Sequence, residues 1–330
     1  MARLSIVIPV LGGLEGLEDT LVSVLENRPA DCQVVVVHDR PYEDPYDLKD
    51  EVRFVAAPPR CRLATALNLG VAAGDAPVVH AVSCGVEVSH GWTDAVLPLF
   101  DDPTVGAVAP LVLDKSDAQR VVTAGLDFRA DGALRNLSQG KLLVAAARSG
   151  DGPCGPDPLA GFYRTAALDA AGGFSTAVAD PLTTVDAALA MRRIGLRCVR
   201  QTQCWTYAEA TAVRRLGALR RGIAAERLFW RWAPAAGWTR ALLGHVLFAV
   251  GQGMQCLVRP GRTVEILGRL LGTLSIISHR RHWRTLRELA QSEICNPQSE
   301  LHSTPTSSPS SSMASMARSS GPAGARRASG

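Results

Sequence analysis

Arg60 and Arg62 stand just ahead of a run, Arg62 to Ala73, whose small and apolar residues suit a helix. Guanidinium groups at a helix start, where unpaired backbone N–H groups also point outward, favour a phosphate or a diphosphate free of metal. Other chemistries find less support. The eight cysteines, at 32, 61, 84, 154, 198, 204, 256 and 295, form no C-x-x-C pair, and neither Cys nor His recurs at zinc-ligand spacing. Reduced, mostly buried thiols are expected instead. Gly12-Gly13 and Gly16 follow an apolar run and precede a helical one, but their spacing is not that of a dinucleotide fingerprint. No Ser, Cys or His stands in a nucleophile-elbow context, and Asp75 reads as a turn residue.

The elements that must position these residues alternate along the chain. Leu4 to Val10 is an unbroken apolar run, the length of a strand buried on both faces. Leu14, Leu17, Leu21, Val24 and Leu25 then recur at helical spacing. Gln33 to Val37, Val52 to Val55 and Pro77 to Val82 read as further strands, with the helix from Arg62 between the last two. This alternation predicts right-handed βαβ units and a mainly parallel sheet flanked by helices, an α/β fold. Beyond Gly91-Trp92 the pattern predicts a short helix to Phe100 and a strand over Val105 to Leu113. Strands joined by turns follow over Val121 to Val144, with Asp131-Gly132 as a hairpin turn. A helical turn over Ala166 to Ala171 closes at Gly172-Gly173; a helix over Val185 to Ile194 and a strand over Leu196 to Thr202 come next.

Charge divides the 330-residue chain. Ala212 to Ala290 holds 14 Arg, no Lys and 3 Glu, a net +11, while the first 211 residues carry −8. Such asymmetry points to an anionic partner. Helices broken near Pro234 and Pro260-Gly261 are expected here, and Leu242 to Val258 is 17 residues with no Asp, Glu, Lys or Arg. Short for a span, it reads as an interfacial or docking helix, with a buried core helix and a membrane span as alternatives. Trp230, Trp232, Trp238 and Trp283 suit an interface belt or a core. Without stacking aromatics among polar contacts, nucleic acid fits less well than an anionic membrane surface. From about Ser292 the Ser, Pro, Gly and Ala composition predicts disorder. The expected division is 1–211, 212–290 and 291–330. The apolar start matches a signal peptide only weakly, being short, interrupted by Pro9 and followed at once by Glu15, Glu18 and Asp19.

One ordered series of short motifs remains. It comprises Leu4-Ser5-Ile6-Val7-Ile8-Pro9-Val10, Val34 to Asp39, Ala66-Leu67-Asn68-Leu69-Gly70, Ala73-Gly74-Asp75, Val86-Glu87-Val88, Gly91-Trp92, Val105 to Pro110, Ala124-Gly125, Gly172-Gly173-Phe174, and Val185-Asp186 before Arg192 and Gly195. The series resembles the family 2 glycosyltransferases of the GT-A fold, particularly the rhamnosyltransferase-like branch, over roughly residues 3 to 211. The resemblance implies a Rossmann-like mixed, mainly parallel sheet, with a nucleotide sugar at the carboxyl ends of its strands. Pro9, Asp39, Arg60, Arg62, Asn68, Ser83 and Gly85 would line the nucleotide. The family's D-x-D pair holds Mn²⁺ or Mg²⁺ against the leaving diphosphate, and its E-D pair deprotonates the acceptor. Here Ser83 and Gly85 occupy the first pair of positions, and Thr183 and Thr184 the second. Metal ligands are therefore not retained, and the late His expected near Thr206-Tyr207 is missing. Asp186, with Asp180 six residues earlier, is left as the candidate base.

The implied function is a catalytically impaired, glycosyltransferase-like protein that binds a nucleotide-diphosphate sugar or a partner glycosyltransferase. The alternatives are an active metal-independent enzyme acting on a cell-envelope glycan or lipid-linked acceptor, and a non-catalytic scaffold. A cytoplasmic place, peripheral at the inner face of the plasma membrane, goes with each; no nucleic acid is expected.

Overall fold

Every residue of β1 (Leu4–Val10) is buried, because helices cover both faces of the strand. Leu4, Ile6, Ile8 and Val10 pack with Leu17, Leu21 and Val24 of α1 (Leu17–Asn27). Val7 points the other way, toward Ala64 and Leu67 of α2 (Leu63–Ala73). The approach on that face is close: a methyl group on Gly70 would come within 2.2 Å of Val7 Cγ1, so a larger residue would push the helix off the sheet. The computed structural model describes residues 2–149, 152–178, 180, 182–212, 217–258 and 263–284.

Beside β1 run β2 (Cys32–His38), β3 (Val52–Ala56) and β4 (Val78–Val82). Order β3-β2-β1-β4 is parallel throughout, with Pro9 opposite Val37 and Val7 opposite Ala81. The sheet continues through β10 (Ala160–Arg164), antiparallel to β4, then β6 (Val105–Asp114), β11 (Arg197–Ala208) and β5 (Glu87–Val88). β7 (Asp117–Thr123) joins β6, and β8 (Leu126–Phe128) pairs with β9 (Leu134–Asn136) around the Asp131-Gly132 turn. The expected α/β fold with a mixed, mainly parallel sheet is present.

Some local expectations differ. The helix ahead of Phe100 is a chain of turns ending in a 3₁₀ turn, Leu97–Asp101. Leu143 and Val144, the end of the expected strand run, instead open α3 (Leu143–Arg148), in keeping with its alanine-rich sequence. The late strand runs on to Ala208, past a register shift between Gln201 and Trp205. α4 (Thr165–Ala170) closes at Gly172 and Gly173, both at positive φ, and α5 (Thr183–Arg193) follows.

Three helices form a further layer: α6 (Ala218–Trp232), α7 (Trp238–Val258) and α8 (Thr263–Thr273). Leu228, Phe229 and Trp232 of α6 pack with Val185 of α5 and Leu126 and Phe128 of β8. The tryptophans face this packing: Trp283 donates to Trp230 O at 2.9 Å and meets Trp238 edge-on. Among the described residues no helix is long and apolar enough to cross a membrane, so the span alternative is not met. Pro260-Gly261 and the Ser/Pro-rich tail lie outside the described residues.

Candidate functional site

The loops leaving β1, β2, β3 and β4 meet along one edge of the sheet. Asp39, directly after β2, is buried at 7% exposure; its N–H donates to Val10 O at 3.3 Å, and its Oδ1 accepts from Gly12 N at 3.2 Å. A carboxylate thereby ties the β2 loop to the β1 loop. Pro9 lies within β1, and its carbonyl accepts from the Cys84 thiol at 3.5 Å.

After β4 the chain turns through Ser83, Cys84 and Gly85. Ser83 donates from its hydroxyl to Pro158 O at 2.8 Å and from its N–H to Leu159 O at 2.9 Å. The Gly85 N–H is shared between Gly16 O at 3.1 Å and Thr20 Oγ1 at 2.9 Å. Gly85 has φ +82°, which glycine adopts without strain. Gly16 is pressed against it, since a methyl group there would lie 2.7 Å from Gly85 Cα. Burial pushes the Cys84 thiol up to about 11, so it stays protonated. In front of this turn is a cavity of about 370 Å³ lined by Glu15, Asp19, Ser83, Gly85, Lys115 and Glu209. Lys115 is paired with Glu87 at 2.5 Å.

Arg60 and Arg62 are exposed at the entry to α2. Arg62 donates to Thr176 O at 2.9 Å, and Asp180 accepts from Leu63 N at 3.1 Å. The carboxylate of Asp180 thus fills the helix start that the two arginines mark for phosphate. Cys61 lies between Asp39 and Asp180, whose charges add to burial in raising its thiol. Asp39, Arg60, Arg62, Asp180, Ser83 and Gly85 accordingly belong to neighbouring loops of one edge, with Pro9 near the end of β1 beside them.

Asn68 is elsewhere. Its amide clamps Phe174, donating to the carbonyl and accepting from the N–H, both at 2.8 Å. Asp186 does not line the cavity either; it is 1% exposed and held by Arg231 Nε and Trp232 Nε1, both at 2.7 Å. Burial raises its pKa, and the Arg231 charge and the two hydrogen bonds oppose that rise.

No family model matches the chain, and no curated protein matches it. Among solved structures it is similar to the mannosyltransferase PcManGT from Pyrobaculum calidifontis in complex with GDP-Man and Mn²⁺. The TM-score is 0.52 at 17% identity, covering 84% of this chain and 88% of that one. GalNAc-T7 with UDP, GalNAc and Mn²⁺ aligns with a TM-score of 0.49 at 13% identity, over 63% of this chain and 44% of that one. The fold is GT-A.

In a GT-A protein the turn after β4 is where a divalent cation would be held, and the residues present here do not fit one. The Ser83 hydroxyl is spent on a carbonyl, Cys84 is a buried protonated thiol, and Gly85 has no side chain. Hard cations need carboxylate oxygens at these positions. No group of three or more His, Cys, Asp or Glu among the described residues is arranged to hold a metal. Thr183 and Thr184, at the base positions, are buried at 0% and 1%, and Thr183 donates to Ser175 O at 3.2 Å. A threonine hydroxyl takes no proton at neutral pH.

Sequence reasoning passed over two edge residues. Lys115 reaches the cavity from the β6–β7 turn, and nothing in its local sequence marks it. Asp157, 6% exposed, accepts from Leu159 N at 3.0 Å beside the Ser83 contact, and burial raises its pKa to about 6. The Asp157-Pro158 pair was its one legible sign, a turn signal.

Proposed function

We propose that this GT-A protein binds a nucleoside-diphosphate sugar at the carboxyl edge of β1 to β4 and is catalytically impaired. One observation carries the reading: the edge keeps its carboxylate at Asp39, while the cation and base positions hold Ser83, Gly85, Thr183 and Thr184. In this reading Pro9 and Asp39 face the base and ribose, and the Ser83–Gly85 turn with exposed Arg60 faces the diphosphate. Asp180 and Asp186 stand as the remaining candidate bases, the first beside the crevice and the second in the helical layer. A GDP-mannose-like donor is the natural first probe, given the ligand of the similar mannosyltransferase structure. The protein would serve a partner glycosyltransferase, or hold a donor for a glycan or lipid-linked acceptor, at the inner membrane face.

A second reading is favoured by Lys115. Lys115 lines the cavity with Ser83 and Gly85, and its ammonium, turned from Glu87 to a bound diphosphate, would stabilise the leaving group without metal.

The test is a melting screen of the full chain with nucleoside diphosphates and nucleotide sugars, each with Mn²⁺ or with chelator. Saturation at about 100 times Kd adds roughly 2.7 kcal/mol, a shift of several degrees. The expected shift is equal in both conditions and is accompanied by no sugar transfer. Metal-independent transfer abolished by Lys115→Met establishes the second reading. A shift that needs Mn²⁺ refutes both, and no shift with any nucleotide leaves a scaffold.

A further inference from the structure

α7 and α8 carry their apolar side chains on the outside. On α7, Leu243, Val246, Leu247, Val250 and Met254 are 58 to 66% exposed. Their spacing puts them on one stripe about 16 Å long. On α8 and just beyond it, Val264, Leu267, Leu270, Leu271 and Leu274 are 44 to 77% exposed and form a second stripe. Other exposed large apolar residues, such as Leu14, Val22 and Ile194, are scattered.

Neither helix can roll these stripes inward. α8 is pressed on α6 through glycines: a methyl group on Gly268 would meet Leu219 O at 2.2 Å, and one on Gly272 would meet Glu226 Cβ at 2.6 Å. α7 is pinned by His245, whose ring contacts Asp131 O at 2.8 Å and Glu226 Oε1 at 3.1 Å.

The exposed charge that the described residues of this helical stretch carry has one sign. Between residues 218 and 284 the acids are Glu226 and Glu265. Glu226 is 1% exposed and spent on His245 and Arg269, and Glu265 is half-buried. Among the described residues of this stretch the exposed charged ones are Arg220, Arg240, Arg280, Arg281 and Arg284. A second copy set face to face on these helices would bring arginines against arginines, with no exposed acid among the described residues of 218–284 to receive them. Anionic phospholipid supplies both the charge and the apolar medium.

We propose that α7 and α8 lie side-on in the interfacial layer of a bilayer rich in anionic phospholipid. The two stripes enter the acyl region, and the flanking arginines meet headgroup phosphates. This surface is separate from the crevice and does not depend on what the crevice binds.

The test is flotation of the full chain with vesicles containing phosphatidylglycerol and with vesicles of phosphatidylcholine alone. Flotation is expected with the first and not the second, declining as KCl is raised. Leu247→Glu and Leu270→Glu should each weaken binding about tenfold or more. Val22→Glu on α1 should leave it unchanged, and all three variants should keep the wild-type melting temperature. Failure to float with phosphatidylglycerol overturns the proposal, as does equal flotation with both lipids. Sedimentation showing a dimer that Leu247→Glu disperses, with no flotation, overturns it in favour of a second copy.

Discussion

The carboxyl edge of β1 to β4 and the layer built by α5 to α8 use carboxylates in opposite ways. At the edge, Ser83 and Gly85 of the β4 turn carry no charge, and Asp39 spends its charge on one backbone N–H. In the helical layer, Asp186 and Glu226 are each 1% exposed and each is met by an arginine. Glu226 also holds His245; burial opposes charge on that ring, but the hydrogen bond and charge of Glu226 outweigh it and raise its pKa. The charge that this layer takes out of water serves to lock α6 to α5, α7 and α8. Buried ions are costly unless every partner is in place, so the layer should be intolerant of change where the edge is permissive.

Asp186→Ala should show the largest effect. It strands Arg231 and the Trp232 indole N–H, and breaking a buried pair costs about 3–5 kcal/mol. Asp39→Ala loses one backbone hydrogen bond and should cost about 1 kcal/mol. Urea midpoints of the two variants measure the contrast directly. Equal losses would mean that the edge is as rigidly built as the layer.

Acid titration should give a smaller effect that separates groups beneath the edge. His80 on β4 is fully buried, stacks on Phe162, accepts from Trp92 Nε1 at 3.2 Å, and is lowered to about 3 by burial. A lowered histidine contributes stability above its ordinary value of 6.5, lost as pH falls toward 3, at up to about 1.4 kcal/mol per pH unit. Asp157, raised to about 6, works the other way: its contribution is full below 3.8 and lost as pH rises through 6. Between pH 6 and 4 the two oppose each other. His80→Phe should therefore flatten the acid limb and Asp157→Asn should steepen it, in urea melts at pH 7, 5 and 4. Parallel limbs in both variants would show that neither group sets the slope.

The sheet was legible because β1 to β4 are short apolar runs, with helical runs between β1 and β2 and between β3 and β4, and local pattern decides such elements. The neutral state of the β4 turn was legible too, since Ser83 and Gly85 are read off directly. The partners of the acids were not. Asp186 meets Arg231 and Trp232 across more than 40 positions, and Asp180 meets Leu63 across 117. Spacing along the chain carries no trace of such contacts, so the sequence offered Asp186 only as a candidate base and not as the partner of Arg231 and Trp232. Lys115 reaches the cavity for the same non-local reason, through the pairing of β6 with β7 and β11.

Asp180 tests the permissive side of the contrast with the smallest effect on folding. Its carboxylate caps the first N–H of α2 from a distant loop, so Asp180→Asn should cost no more than about 1 kcal/mol, because the amide oxygen can still accept. The same change removes a negative charge from a helix start that favours anions. Affinity for a nucleoside diphosphate should then rise severalfold, read by titration of the melting shift. The rise should be greatest at low ionic strength, where an exposed edge is least screened. A fall in affinity would mean that Asp180 positions Arg62 or the ligand itself, and the diphosphate would have to be placed away from α2. An unchanged affinity with a loss of several kcal/mol would move Asp180 into the same class as Asp186, a carboxylate kept for packing.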